Sequence, residues 1–217
     1  MKAYKRNFLE LSIKMGVLKF GEFTLKSGRN SPYFFNAGLF NTGYAAAALG
    51  QYYADTIIES GIEFDMIFGP AYKGIPLATL SASALAEYHN INKPFAYNRK
   101  ELKEHGEGGV IVGAPLEGKV LIIDDVITAG TAVKEVYNLI ESTGATIAGL
   151  IISLDRQEIG VSNKSAIQEL EDSLNIPVIS IAKLDDLIDL LQTSDDLNVH
   201  LPAVIKYRNQ YSTNSQS

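Results

Sequence analysis

The stretch Val120-Leu-Ile-Ile-Asp-Asp-Val-Ile-Thr-Ala-Gly-Thr-Ala132 decides how the rest of the chain reads. An unbroken apolar run stops at two adjacent carboxylates. A short loop of small and hydroxyl-bearing residues follows. Apolar residues at helical spacing begin at once, with Val133, Val136, Tyr137 and Ile140 at i, i+3, i+4 and i+7. The pattern predicts a buried strand, a turn and a helix N-terminus. Such a terminus presents unpaired N–H groups and a positive dipole end, so the turn is suited to a phosphate. Gly130 admits close backbone approach, and Thr128 and Thr131 add hydroxyl donors. Asp124 and Asp125 would repel that phosphate. They suit a polyol, a cation or a developing positive charge, so a ligand with a phosphate beside a ribose satisfies both halves.

Working outward, helix and strand alternate from residue 42. Thr42–Ser60 is Ala- and Tyr-rich and helical, with Gly61 where a C-cap glycine belongs. Met66–Phe68 is a short apolar strand stopped by Gly69-Pro70. Gly74–His89 reads as a helix, Pro94–Asn98 as a strand and Lys119–Asp125 as the strongest strand. Thr131–Thr143 is a helix ended by Gly144. Thr146–Leu154 is a near-continuous apolar strand, as expected where both sheet faces are covered. Ser165–Leu174, Pro177–Ile181 and Leu184–Gln192 read as helix, strand and helix. The prediction is an α/β fold with an open, mainly parallel five-stranded sheet flanked by helices, its strand-end loops on one edge. Residues 1–41 break the rhythm. A helix over Tyr4–Met15 leads into two β-like runs around Lys26-Ser-Gly-Arg-Asn-Ser31, read as a hairpin. This region is expected to form a small hood subdomain within the same domain. Residues 42–207 form the core and 208–217 a polar tail.

The 217-residue chain carries a formal charge of −6, which argues against nucleic acid as the main partner. No apolar stretch approaches the ~20 residues of a membrane span, so no membrane partner is expected. The chain contains no cysteine, which excludes disulfides, thiolate metal sites and cysteine nucleophiles. A cytoplasmic home is the simplest expectation.

Other segments carry charge where a strand should end. Gly69-Pro-Ala-Tyr-Lys-Gly74 joins a strand to a helix and would by itself be an ordinary turn with a solvated Lys73. Asn98-Arg-Lys-Glu-Leu-Lys-Glu-His-Gly-Glu-Gly-Gly109 concentrates Arg99, Lys100, Lys103 and His105 before three glycines. The segment is either a solvated surface loop or a lid that closes over a polyanion and excludes water. Arg156 follows the apolar strand from Thr146 and is either a solvated end cap or, beside a ribose-phosphate site, the two-bond partner of a carboxylate. Phe34-Phe35 is either hood core or a flat wall, although only one of two strand neighbours faces inward. Gly113-Ala-Pro-Leu-Glu-Gly-Lys119 fits part of a nucleotide-binding P-loop. It precedes a strand and is followed by Val120 where a hydroxyl is needed, so it is rejected. His89 and His200 match no motif.

The acid pair and its loop resemble the phosphoribosyl diphosphate (PRPP) motif of type I phosphoribosyltransferases. The resemblance implies that Asp124 and Asp125 hold the ribose hydroxyls. It also implies that Val126, Ile127, Thr128, Ala129, Gly130, Thr131 and Ala132 surround the 5-phosphate, and that Tyr72 and Lys73 meet the diphosphate. The basic segment resembles the catalytic loop of orotate phosphoribosyltransferases, and Leu25–Asn36 resembles their N-terminal region. Lys26, Arg99, Lys100, Lys103 and His105 then contact PRPP, and Phe34, Phe35, Thr128 and Arg156 border orotate. The likeness runs from about residue 4 to about 192. It implies transfer of phosphoribosyl from PRPP to orotate, with Lys103, Asp125 and Arg99 as catalytic residues. It further implies Mg²⁺ held mainly by PRPP and water, and a homodimer whose 99–109 lid serves the neighbouring site. Whether a side chain removes the orotate N1 proton stays open, with Asp125 the candidate. A purine-salvage transferase and a non-catalytic PRPP sensor are the competing readings.

Overall fold

The protein is described by a computed structural model, which covers residues 1–103, 109–127, 130–160 and 164–212. The chain opens with α1 (Ala3–Lys14) and an antiparallel hairpin of β1 (Leu18–Thr24) and β2 (Asn30–Phe35). It continues through α2 (Gly43–Ser60), β3 (Met66–Gly69), α3 (Gly74–His89), β4 (Phe95–Lys103) and β5 (Gly109–Gly113). Then come β6 (Lys119–Asp124), α4 (Gly130–Glu141), β7 (Thr146–Asp155), α5 (Ala166–Leu174), β8 (Val178–Lys183), α6 (Leu184–Gln192) and α7 (Leu201–Tyr211). No described helix is long and apolar enough to cross a membrane.

Local signals account for most element ends. The Thr42 side chain accepts from the Ala45 N–H and starts α2, and Gly61 ends it in the left-handed conformation at φ 65°. Ser165 and Gln168 form a reciprocal capping box that opens α5.

The sheet order is β5-β4-β3-β6-β7-β8, and all neighbours are parallel except β4 with β5. Alternation divides the central strands between two cores. Ile67, Leu121, Ile123 and Ile151 face the larger core, built with α1, α2, α3, α6 and the hairpin. Met66, Phe68, Val120, Ile122, Leu150 and Ile152 face the second, under α4 and α5. The apolar runs of β6 and β7 therefore reflect burial on both faces. Residues of the expected hood subdomain, Phe8, Leu9, Leu18, Tyr33 and Phe35 among them, belong to the larger core.

Two expectations change. The sheet has six strands among the described residues, not five, because β5 pairs antiparallel with Ala96–Asn98 of β4, and β4 itself runs on to Lys103. The charged run Arg99–Lys103 reads as loop because it lacks an apolar face. A pair at the sheet edge is held by main-chain bonds and tolerates charge. The second change is at the C-terminus. Helix α7 extends through Tyr211 and Ser212 bridges to Glu158, so residues 208–212 are structured and not tail. Only Val204 and Tyr207 of α7 are buried, too sparse a pattern to read as a helix face.

Connections from β3 lead one way to β4, and those from β6 lead the other way to β7 and β8. The reversal leaves a crevice between β3 and β6 at their carboxyl ends, where ligands of open α/β sheets bind. The loop at the end of β3 has no room for side chains at its ends. A Cβ on Gly69 would come within 2.1 Å of the Gly74 carbonyl oxygen, and one on Gly74 within 2.9 Å of that of Ile123. Gly74→Ala is therefore expected to destabilise the protein by about 1–3 kcal/mol through forced backbone shifts, measured by urea unfolding. An unchanged midpoint would show that the loop can open at no cost.

Candidate active site

Asp124 is the last residue of β6 and Asp125 the first beyond it. The Asp125 N–H donates to Asp124 Oδ1 at 2.8 Å, and the Asp125 carbonyl accepts from the Ser153 N–H at 2.8 Å. Asp125 is buried. Its charge is met by Lys73, whose Nζ lies 2.5 Å from Asp125 Oδ2. The Lys73 side chain remains more than half exposed, so this cation borders both the acid and the open crevice. Burial, together with the neighbouring charge of Asp125, pushes the Asp124 carboxyl up to about 7.

Beneath the pair, α2 supplies a support that sequence reading misses. The buried Tyr53 hydroxyl lies 2.7 Å from the Asp124 carbonyl oxygen, to which it donates, and 2.6 Å from Ser153 Oγ. The signal available was a tyrosine on the apolar face of α2, whose hydroxyl needs a polar partner when buried.

The β3 loop is bound to β4 as well as to the acids. The Ala71 N–H donates to Asn98 Oδ1 at 2.8 Å, and Lys100 Nζ lies 4.9 Å from the centre of the exposed Tyr72 ring. The Ala71–Tyr72 peptide is cis. Pro70, Ala71, Asn98, Arg99, Lys100 and Asp124 line a cavity of about 500 Å³. The structure thus brings the β3 loop, the start of the basic segment and the acid pair to one crevice. Lys103 is the last residue of β4, and Gly130, Thr131 and Ala132 lie in the first turn of α4. Thr128, Ala129 and His105 lie outside the described residues. Val126 and Ile127 pack against the two opposite cores, which leaves the main chain between them at the sheet edge.

A second cavity, of about 630 Å³, is lined by Ser27, Arg29, Val126, Ile127, Arg156 and Glu158 among others. Arg156 is not a solvated end group. It lies over Tyr33 and donates to Glu158, Ser31 and Tyr207. Burial, with Glu158 beside it, pushes the Tyr207 hydroxyl up to about 12. Lys26 is exposed in the hairpin turn. Phe34 and Phe35 point opposite ways. Phe35 is buried in the larger core near Phe8, whereas Phe34 is 41 % exposed and packs on Phe23. Of the two rings, Phe34 is the one that faces solvent. His89 pairs with Asp55 and His200 stacks on Phe20, both away from the crevice. Residues 113–119 join two strands and open no helix, which agrees with rejecting a P-loop.

Among the described residues, no three His, Asp or Glu side chains converge as a metal cage. With Asp125 engaged by Lys73, the donor set fits a divalent ion that brings its own phosphate and water ligands.

Residues 41–173 match the phosphoribosyl transferase domain. The chain belongs to the phosphoribosyltransferase family. Two proteins named orotate phosphoribosyltransferase are similar over nearly their whole length. That of Pseudomonas aeruginosa (strain PAO1) is 59% identical, covering 97% of this chain and 99% of its own. That of Pseudomonas syringae pv. tomato is 60% identical over the same shares. The crystal structure of the Francisella tularensis orotate phosphoribosyltransferase superposes with a TM-score of 0.86 at 46% identity, covering 95% of this chain and 99% of that one. The adenine phosphoribosyltransferase of Thermoanaerobacter pseudethanolicus shares the fold at a TM-score of 0.51 and 18% identity. This phosphoribosyltransferase scaffold therefore does not by itself select a base.

The raised Asp124 carboxyl has a consequence for stability. An unfolded Asp titrates near 4, whereas in the folded protein Asp124 titrates at about 7. Its burial costs nothing below about pH 4, costs progressively more up to about 7 and is fully felt above. Asp124→Asn is expected to raise the melting temperature by about 5–10 °C more at pH 8.5 than at pH 5. Equal shifts at both pH values would show that the carboxyl is not perturbed.

Proposed function

We propose that the protein transfers the 5-phosphoribosyl group of PRPP to orotate, giving orotidine 5-phosphate and diphosphate in the de novo pyrimidine route to UMP. The observation that carries this reading is the meeting of Lys73 with Asp125 at the sheet's switch point, a cation and an acid pair in one crevice. The acids serve the ribose and the cation serves the diphosphate. Arg156 and Phe34, on the hairpin side, offer a guanidinium and an exposed ring to a planar base that bears a carboxylate. The near-full-length relatives named for orotate favour this base over a purine. A PRPP sensor would have no use for the basic segment.

In the reaction the bond from ribose C1 to the diphosphate oxygen breaks and its electron pair leaves with the diphosphate. The orotate N1 lone pair forms the new bond to C1. The transition state carries oxocarbenium-like charge at the ribose, which Asp124 and Asp125 stabilise. Lys73, Arg99, Lys100, Lys103 and His105 neutralise the leaving group, with Lys26 reaching PRPP from the hairpin. Val126 to Ala132 surround the 5-phosphate, and Thr128 borders both substrates. A Mg²⁺ ion brought in with PRPP would add charge neutralisation at the diphosphate. No covalent nucleophile is needed, and the catalysis is positioning and electrostatics. Of the two acids, Asp125 is engaged by Lys73 while Asp124 titrates near neutrality. Asp125, buried beside Lys73 at the strand end, is the candidate to take the orotate N1 proton. The active form is a homodimer in which the 99–109 lid serves the neighbouring site. On this reading the enzyme is cytoplasmic.

The test is diphosphate release from PRPP and Mg²⁺ with different bases. Release with orotate, and not with adenine, hypoxanthine or guanine, is expected. Release with a purine alone would replace the reading by salvage, and no release with any base by sensing. Lys103→Ala is expected to lower kcat by about 100-fold or more with a smaller change in PRPP affinity, in line with the loss of a transition-state charge contact. An unchanged kcat would remove the lid from the mechanism.

A further inference from the structure

Helix α7 brings a hydroxyl onto the arginine of the second cavity. Arg156 Nε–H donates to Glu158 Oε1 at 2.5 Å, and Nη2 donates to Ser31 Oγ at 2.9 Å and to Tyr207 Oη at 3.3 Å. Tyr207 Oη in turn donates to Glu158 Oε1 at 2.7 Å. A hydroxyl has one proton, so Tyr207 can serve Glu158 as donor while it accepts from Arg156. The three groups close a ring of bonds with a fixed direction. The guanidinium carbon also sits 4.2 Å from the centre of the Tyr33 ring, and Tyr33 meets Tyr207 edge to face at 6.0 Å. An aromatic face thus sets the guanidinium plane, and three oxygen partners set its rotation within that plane. Among the described residues, these bonds occupy Nε and Nη2 and leave Nη1. Arg29 Nη1 approaches the other Glu158 oxygen at 3.4 Å. Two guanidiniums therefore share one carboxylate, and the cluster keeps an excess positive charge for an anion.

We propose that Tyr207, acting with Glu158, is a positioning residue for base recognition that holds Arg156 with its Nη1 edge free for the carboxylate of the base. This rests on the reading of Arg156 as the carboxylate partner of orotate. Arginine has high rotamer freedom, and ordering it before the ligand arrives removes that cost from binding. Glu158 alone would be a competitor. Without the Tyr207 hydroxyl, its oxygens can turn toward Arg156 in a two-bond pair across Nε and Nη2, which draws Nη2 off Ser31 and turns Nη1 away from the ligand. The hydroxyl spends part of the carboxylate's accepting capacity and keeps the pair single. Helix α7 becomes part of the base site, although it lies beyond the segment matched to the transferase domain.

Tyr207→Phe keeps the ring and deletes the hydroxyl. Steady-state constants for both substrates are measured for Tyr207→Phe, Arg156→Ala and the double variant, with melting temperatures alongside. Tyr207→Phe is expected to raise KM for orotate about five- to tenfold and to leave KM for PRPP within about twofold, the scale of a lost hydrogen bond to a charged group. In the Arg156→Ala background the same change is expected to add nothing, because the hydroxyl acts only through the guanidinium. If Arg156→Ala raises KM for orotate but Tyr207→Phe does not, or if the two effects multiply, the positioning role is overturned and the base-site reading stands. If Arg156→Ala leaves KM for orotate unchanged, the base-site reading itself fails. Should Tyr207→Phe prove unstable, Glu158→Gln reads out the same clamp. A rise in KM for orotate alone supports it, and unchanged constants overturn it.

Discussion

The ion pair between Lys73 and Asp125 ties together the two loops that flank the reversal of the sheet. Asp124 and Asp125 end a strand buried on both faces, a place where uncompensated charge is costly. Asp125 is answered by a cation from the neighbouring strand-end loop. Burial and the neighbouring Asp125 charge push the Asp124 carboxyl toward neutrality. For Lys73 to reach the acid, Gly69 and Gly74 must let the β3 loop fold tightly against β6, and Asn98 holds its main chain from β4. Tyr53 and Ser153 fix the strand end from below. The shape of the crevice follows from satisfying these two carboxylates.

A related charge arrangement recurs on the hairpin side. Arg156 and Arg29 share Glu158, so a partly buried group of charges is nearly balanced with one positive charge in excess. In both places a protein charge is neutralised enough to be housed and kept reactive enough to meet a charged ligand. Lys73 stays half open to the crevice while it pairs with Asp125. Arg156 keeps one edge while it pairs with Glu158. This is electrostatic preorganisation, in which the groups are placed before the ligand arrives.

Legibility in the sequence follows the strength of local signals. Helices α3 and α6 and strand β6 are readable almost to the residue, because their caps and apolar spacing agree with their packing. The acid pair, the β3 loop and Arg156 stand out in the sequence as charge at strand ends, but only the resemblance gives the loop and the arginine a role beyond a turn and an end cap. Strand β5 is missed although Val110-Ile-Val112 is apolar, because three residues between glycines are too short a run to show a period. Helix α7 is missed because only Val204 and Tyr207 are buried on it. Phe34 and Phe35 look equivalent in the sequence, yet strand alternation sends Phe35 into the core beside Phe8 and leaves Phe34 outside.

By itself the sequence determined the alternation of strands and helices and the place of the acid pair at a strand end. It also determined the concentration of cations in two short segments. These are properties of neighbours in the chain, carried by periodicity, caps and charge. The tertiary structure alone decided which of those groups meet. The partners of Asp125, Arg156 and the Asp124 main chain lie 52, 51 and 71 residues away, in Lys73, Tyr207 and Tyr53. Pairing at such separations is set by strand order and by which helix covers which face. No local pattern encodes it, because each partner's side chain is satisfied only once the sheet has brought its strand end to the same edge.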